Sequence, residues 1–195
     1  PAASHLSLAH LLWEQTVTLG DTVVDMTSGN GHDALRMARL ALSADGARGK
    51  LIALDVQPTA IESTRSLLER ELGADAIERA GTFVVGNNRD VEALGVAAGS
   101  AALVSYNLGY LPGGDKSVFT RAEDTLASLN GALQLLKPGG MLSIACYVGH
   151  AEGVAEMVAV KQFAAHLDAA VWRAFVHERL NYPPAPLLVT VLRMR

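Results

Sequence analysis

The chain reads as an α/β protein on a mostly parallel seven-stranded sheet, with helices on both faces and one antiparallel strand near the C-terminus. Three observations predict this. Short apolar runs alternate five times with stretches of helical spacing, which implies right-handed βαβ units. A Gly-x-Gly turn joins the first run to its helix, where free backbone N–H groups suit a bound ligand. The last two runs follow each other without a helix between them, so one is inserted antiparallel to its neighbours.

Ser4 to Val17 carries Leu8, Leu11 and Leu12 at helical spacing and opens the chain as a helix, broken by Gly20-Asp21. Thr22 to Met26 is a β-branched strand that ends in the turn Thr27-Ser28-Gly29-Asn30-Gly31. His32 to Ala41 is helical. A polar loop, Ser43 to Gly49, leads to strand Lys50 to Leu54, which ends at Asp55. Pro58 suits the first turn of a helix that runs to Leu72. Thr82 to Val85 is the third strand and Asp90 to Leu94 a short helix. Ala101 to Tyr106 is the fourth strand. Ser117 to Leu136 is a long helix stopped by Lys137-Pro138-Gly139-Gly140. Met141 to Tyr147 is the fifth strand and Gly153 to Leu167 a helix. Val171 to Glu178 and Leu187 to Arg193 are the closing strands.

The 195 residues suit one domain, 1–195, with residues 1–20 as a helical segment packed on it. Half the residues are hydrophobic and 18% are charged, which places the chain among globular proteins. No apolar run reaches the roughly 18 residues of a membrane helix. There is no signal-peptide pattern, so an intracellular setting is expected: a bacterial cytoplasm, or a plastid or mitochondrion if a leader has been removed. The single Cys146 lies within an apolar run and reads as a small buried hydrophobe. The six histidines are scattered without metal-ligand spacing, so no metal is expected.

A net charge of −4 argues against a protein that coats nucleic acid. It leaves room for one that reads a single RNA loop through a local patch. Arg89, Lys116, Arg121, Lys137, Lys161, Arg173 and Arg179 are the candidates for such a patch, and plain solvated charge is the simpler reading of most of them.

Asp25 to Gly31 has the spacing Asp-x-x-x-Gly-x-Gly. The full dinucleotide fingerprint is not met, because Ala34 holds its last glycine position, which that pattern tolerates. An acid so close to the turn would repel a pyrophosphate and suits a ligand with an amino group. Asp55 follows Gly31 by 24 positions, where a carboxylate can accept both hydroxyls of a ribose. Gly86-Asn87-Asn88 ends the third strand where an adenine edge would lie. Together these point to S-adenosylmethionine. The cofactor-binding residues expected are Asp25, Thr27, Gly29, Asn30, Gly31, His32, Asp33, Asp55, Val56, Gln57, Asn87, Asn88 and Asn107.

Asn107 to Tyr110 resembles the Asn-Pro-Pro-Tyr motif of methyltransferases that act on exocyclic amines, with Leu-Gly in place of Pro-Pro. An Asn side-chain oxygen can accept the amine's N–H and aim its lone pair at the methyl group. A Tyr ring can stack on a planar base.

Five segments carry a closer resemblance: Asp25–Asp33 (DMTSGNGHD), Asn107–Lys116 (NLGYLPGGDK), Leu136–Gly140 (LKPGG), Tyr147–His150 (YVGH) and Asn181–Pro184 (NYPP). They are similar to those of the MnmM/YtqB-type methyltransferases, over a span from about Leu8 to the C-terminus. The NLGYLPGGDK segment is a highly specific match; the turn and LKPGG are shared by many methyltransferases. The resemblance implies a Rossmann-like, class I S-adenosylmethionine-dependent fold. It implies methylation of 5-aminomethyl-(2-thio)uridine at the tRNA wobble position, with a tRNA anticodon stem-loop as partner. A homodimer would widen the small basic surface. The chain departs from the family at Val85 to Asn88, where a Gln-Asp-Ser-His-like run is expected.

An alkylammonium with a pKa near about 10 is mostly protonated at neutral pH, so the reaction needs a proton acceptor. Asp115 and His150 are the candidates. Asp115 has a competing and simpler reading, as the cap of the helix that begins near Ser117. Asn107, Tyr110, Asp115 and His150 form the expected catalytic set. His10, Leu108, Gly109, Gly114, Lys116, Tyr147, Tyr182 and Pro183 are expected to line the substrate. The alternatives are an rRNA or small-molecule amine methyltransferase, a cofactor-binding module without catalysis, and an NAD-dependent oxidoreductase. Asp25 and the lack of a hydride-transfer constellation argue against the last.

Overall fold

The computed structural model describes residues 4–108, 122–149, 151–182 and 185–194, with the side chains of 122–124 left aside. Its strands are β1 (Thr22–Asp25), β2 (Lys50–Asp55), β3 (Gly81–Val85), β4 (Ala101–Leu108), β5 (Leu136–Cys146), β6 (Trp172–His177) and β7 (Leu187–Arg193). The helices are α1 (His5–Thr16), α2 (His32–Ala41), α3 (Pro58–Leu72), α4 (Ala74–Ala80), α5 (Ala122–Leu135) and α6 (Ala151–Ala165). The sheet order is β3-β2-β1-β4-β5-β7-β6, and β7 alone runs antiparallel to both neighbours. This is the sheet expected of a class I methyltransferase fold, with its one reversed strand inserted next to the last.

Strand periodicity sorts the core into two layers. Val23, Leu51, Leu103, Met141 and Leu188 face one side, where they pack with Ala9 and Trp13 of α1, Leu35 and Met37 of α2 and Leu68 of α3. Val24, Ile52, Val104, Leu142 and Val189 face the other, against Leu129 and Leu133 of α5 and Val160 of α6. A single 3₁₀ turn, Val91–Leu94, contributes its two apolar ends to that second layer where a full crossover helix would otherwise lie. Ser4 starts α1 by accepting the Ser7 N–H on its hydroxyl at 3.1 Å.

Three elements differ from the sequence reading. Helix α4 went unpredicted. Strand β4 continues through Asn107 and Leu108, so Asn107 is part of the strand and not of a loop after it. Leu136 does not end the long helix but begins β5, where it pairs with Ala101. The register then shifts so that Leu103 meets Met141, and Lys137-Pro138-Gly139-Gly140 forms an irregularity within the strand. Cys146 is buried, and burial together with the Glu156 carboxylate pushes its thiol up to about 12, which suits a packing residue.

Candidate functional site

The sheet order reverses between β1 and β4, and a crevice at their carboxyl ends is where this architecture binds ligands. The turn from Asp25 to Gly31 sits there. Gly31 caps α2 at φ +82°, and a Cβ on it would stand 2.8 Å from the Thr64 Cα. Only glycine meets both demands. From α3, the buried Thr64 hydroxyl donates to the Gly29 carbonyl at 3.1 Å and pins the turn from behind. Sequence reasoning missed Thr64, since nothing local marks a contact across 35 residues.

The Asp55 carboxylate accepts the Gly29 N–H at 2.9 Å on Oδ2 and the Gln57 N–H at 3.0 Å on Oδ1. Each oxygen keeps a lone pair for a further donor. Val56 is exposed beside it and Gln57 half-buried, and Asn30 and His32 face solvent across the turn. Asp25 is fully buried. Its Oδ1 accepts the Thr27 N–H at 3.2 Å, whereas its Oδ2 has no partner. Burial, and then the charges of Asp33 and Asp55, push this carboxyl up to about 8.

Past β3, Asn87 is exposed and caps its own turn by accepting the Arg89 N–H at 3.0 Å. Asn88 is buried, with its Oδ1 unpartnered. The Asn88 carbonyl accepts from Ser128 of α5 at 2.6 Å, and Ser128 in turn contacts the Tyr106 hydroxyl at 2.6 Å. Because the serine proton goes to the carbonyl, Tyr106 is the donor to Ser128.

At the end of β4 the Asn107 N–H donates to the Thr27 hydroxyl at 2.7 Å. The Asn107 side-chain Nδ2 donates to Asp33 Oδ2 at 2.6 Å, and its Oδ1 is buried without a partner. His10 Nε2 meets the other Asp33 oxygen at 2.7 Å. Burial alone would raise the Asp33 carboxyl. The hydrogen bonds from His10 and Asn107, with the nearby charges of His10 and His32, outweigh it and hold the group below the usual carboxylate range. Asp33 is therefore an ionised acceptor, and His10 donates to it.

Beside this group the Tyr147 N–H donates to the Leu108 carbonyl at 3.2 Å, and its half-buried ring meets His5 edge-on at 5.1 Å between centroids. Burial raises the Tyr147 hydroxyl pKa, and the Asp33 charge adds to this. Burial lowers the His5 pKa against the opposing pull of Asp33, and His5 Nε2 is buried without a partner. Sequence reasoning missed His5, which stands at the first position of α1 and carries no motif.

The structure thus brings His10, Asp25, Thr27, Gly29, Gly31, Asp33, Asp55, Asn107, Leu108 and Tyr147 to one edge. Tyr182 does not join them among the described contacts. It is 63% exposed and carries the Arg179 guanidinium 5.0 Å above its ring. Gly109, Tyr110, Gly114, Asp115, Lys116, His150 and Pro183 lie outside the described residues, as does Arg121. Of the other basic candidates, Lys137 pairs with Asp21, Lys161 with Glu178 at 3.3 Å, and Arg173 donates to backbone carbonyls. These cations are engaged within the fold.

The unpartnered atoms test what ligand fits. Asn88 Oδ1 and Asn107 Oδ1 are buried acceptors, Asp55 adds accepting lone pairs at the end of β2, and Asp25 Oδ2 becomes an acceptor when a cationic group beside it favours the ionised carboxylate. Such a set calls for N–H and O–H donors: an ammonium group, a ribose, an amino-substituted ring. It is wrong for a pyrophosphate. Among the described residues no group of three or more His, Cys, Asp or Glu side chains could hold a metal ion. No helix among them is long and apolar enough to cross a membrane.

Comparison with known proteins leads to the same place. A crystal structure described as a "putative rRNA-methylase" from Clostridium thermocellum is 29% identical, superposes with a TM-score of 0.88 and is matched over 98% of both chains. One described as a "putative methyltransferase" from Streptococcus mutans in complex with SAH is 26% identical, with a TM-score of 0.82 over 97% of this chain and 98% of that one. A curated Arabidopsis thaliana protein named tRNA (mnm(5)s(2)U34)-methyltransferase, chloroplastic, is 39% identical over 187 residues, 95% of this chain and 68% of the relative. The model of the family described as "Putative rRNA methylase" matches residues 51–193, which include Asp55, Asn107, Leu108 and Tyr147 of the cluster. With that match and the fold around it, the chain belongs to the rRNA methylase family, the one its MnmM/YtqB-like motifs indicate.

Proposed function

We propose that the protein is an S-adenosylmethionine-dependent methyltransferase that N-methylates 5-aminomethyl-(2-thio)uridine at the tRNA wobble position, giving the 5-methylaminomethyl form. One observation carries this reading: a buried amide oxygen, Asn107 Oδ1, is held without a partner at the β4 end while its amide nitrogen is committed to Asp33. That oxygen suits the N–H of an incoming amine. The Arabidopsis relative, named for this chemistry, supports the substrate.

When bound, S-adenosylmethionine supplies an electrophilic methyl group. Asp25 would hold its amino group and Asp55 its ribose, with Asn88 offered to the adenine amine. On the substrate side Asn107 Oδ1 accepts one N–H of the target amine and so orients the nitrogen lone pair. Orientation of a nucleophile is a large part of what an enzyme can supply to such a displacement. The amine must arrive neutral. Asp115 and His150 remain the proposed proton acceptors, and Tyr110 the residue that stacks on the base. The partner is a tRNA anticodon stem-loop, met where such tRNA is found, in a bacterial cytoplasm or an organelle.

The family description names rRNA, so the experiment carries both substrates. Purified protein is incubated with methyl-labelled cofactor and either tRNA or ribosomal RNA from cells lacking the modification, and the digested nucleosides are analysed by mass spectrometry. Label in 5-methylaminomethyl-(2-thio)uridine is the expected result. Label confined to rRNA, or absent from both, overturns the substrate assignment.

A further inference from the structure

We infer that Asp33 is a positioning residue for the acceptor amide. With His10 it fixes which end of the Asn107 side chain faces the reacting amine. The inference rests on the methyl-transfer reading above and moves Asp33 away from the cofactor set in which its motif placed it.

An Asn side chain is nearly symmetric in shape and opposite at its two ends in hydrogen bonding. Were the Asn107 amide turned by half a rotation, its NH2 would face the amine, donor against donor, and the nitrogen lone pair would be drawn toward Asn107. Something must decide the orientation. The Asn107 backbone is fixed by its N–H bond to Thr27 at 2.7 Å, which leaves the amide rotation as the remaining freedom. Asp33 Oδ2 lies 2.6 Å from Nδ2, and an ionised carboxylate accepts only, so Nδ2 must point toward it. Asp33 is itself oriented, because His10 donates to its Oδ1 at 2.7 Å. The side chains of His10 and Asp33 are 29% and 13% exposed, so water competes weakly for the pair. The order is α1 to α2 to β4: His10 orients Asp33, and Asp33 orients Asn107. The unpartnered Oδ1 is the product of that order.

The test compares Asp33→Leu, Asp33→Asn and Asn107→Ala in the full chain, with thermal melts to confirm that each folds. In Asp33→Asn the new amide can accept from Asn107 through its oxygen and donate through its nitrogen to His10, whose neutral ring offers an acceptor at Nε2 in its other tautomer. Asp33→Asn should therefore keep kcat within about ten-fold of wild type, whereas Asp33→Leu should lower it about 100-fold. Both variants remove the same Asp33 charge, which acts on Asp25, so cofactor affinity by calorimetry should change to a similar extent in the two while kcat separates them. Adding Asn107→Ala to Asp33→Leu should lower kcat little further, since both act on one group. Independently of turnover, the ¹⁵N-resolved Asn107 side-chain amide signal, identified by its loss in Asn107→Ala, should carry one strongly downfield proton that disappears in Asp33→Leu.

A fall in cofactor affinity that matches the fall in kcat overturns the inference and returns Asp33 to the cofactor site. So does an Asn107 amide signal unchanged in Asp33→Leu. A wild-type protein that binds the cofactor yet methylates no RNA overturns the functional reading instead, and the amide signal still decides whether Asp33 orients Asn107.

Discussion

The Thr27 hydroxyl accepts the backbone N–H of Asn107 at 2.7 Å, across 80 residues of sequence. This bond joins the turn after β1 to the end of β4, the two sides that the proposed reaction assigns to the cofactor and the acceptor. A displacement between two bound molecules needs their separation fixed, and in the proposed reaction this contact would fix it through backbone and side chain at once.

Thr27→Val keeps the shape and removes the acceptor. It should lose about 1–2 kcal/mol of stability, the usual result of leaving a part-buried N–H unsatisfied. It should also lower methyl transfer more than cofactor affinity. Thr27→Ser restores the oxygen and should restore both. Urea unfolding and single-turnover methylation read the two effects, and a Thr27→Val protein with wild-type turnover would refute the coupling.

Asp25 makes stability depend on pH in a definite direction. Its folded value of about 8 lies above the ordinary 3.8. Below pH 4 it is protonated whether the chain is folded or not, so its contribution is fully present. Between about pH 4 and 8 the unfolded chain gives up the proton and the folded one keeps it, so stability falls by up to about 1.4 kcal/mol per pH unit. Asp33 acts oppositely: its lowered value adds stability above the ordinary carboxylate pKa that is lost as pH falls through the folded value. Urea unfolding of the cofactor-free protein from pH 5 to 8 should show a decline that Asp25→Asn flattens. Equal slopes in the two proteins would refute the assignment.

The helices legible in the sequence are those with marked ends. Gly31 before α2, and Pro58 with Gly73 around α3, punctuate both so clearly that their boundaries follow from residue type. Helix α4 starts directly after Gly73, with no polar cap or apolar repeat to announce so short an element. Lys137-Pro138-Gly139-Gly140 misled in the opposite way, because residues that usually end an element here form an irregularity inside one. At the site, Asp25, Asp55 and Asn107 were legible because strand-end acids and amides suit a crevice. The partners of Asp33 were not: they lie 23 and 74 residues away, and only the fold brings α1 and β4 to the start of α2.

Gly31→Ala tests how tightly the turn is held. The new methyl would sit 2.8 Å from the Thr64 Cα at a φ of +82°. Left-handed backbone alone costs an L-residue about 1–2 kcal/mol, and the contact with α3 adds to it. Differential scanning calorimetry should show a Tm several degrees lower, with cofactor affinity reduced because the Gly29–Asp55 bond shifts along with the turn. A Tm unchanged from wild type would mean that α3 yields without penalty.

The buried chain from Tyr106 through Ser128 to the Asn88 carbonyl gives two substitutions unequal effects. Ser128→Ala leaves the Tyr106 hydroxyl without its acceptor and the Asn88 carbonyl without its donor, both 2.6 Å from the missing oxygen. An unsatisfied buried polar group costs about 1–3 kcal/mol, so this variant should be clearly destabilised. Tyr106→Phe removes only the donor at the far end. The serine keeps its bond to Asn88, and the loss should stay below about 1.5 kcal/mol. The same asymmetry should reach the site, because Ser128 holds the backbone of Asn88, whose Oδ1 is proposed to accept the adenine amine. Ser128→Ala should weaken S-adenosylmethionine binding several-fold in calorimetry, and Tyr106→Phe should leave it near wild type. Equal weakening by both would show that the Ser128–Asn88 bond does not hold the site without the Tyr106 hydroxyl, and would overturn the asymmetry.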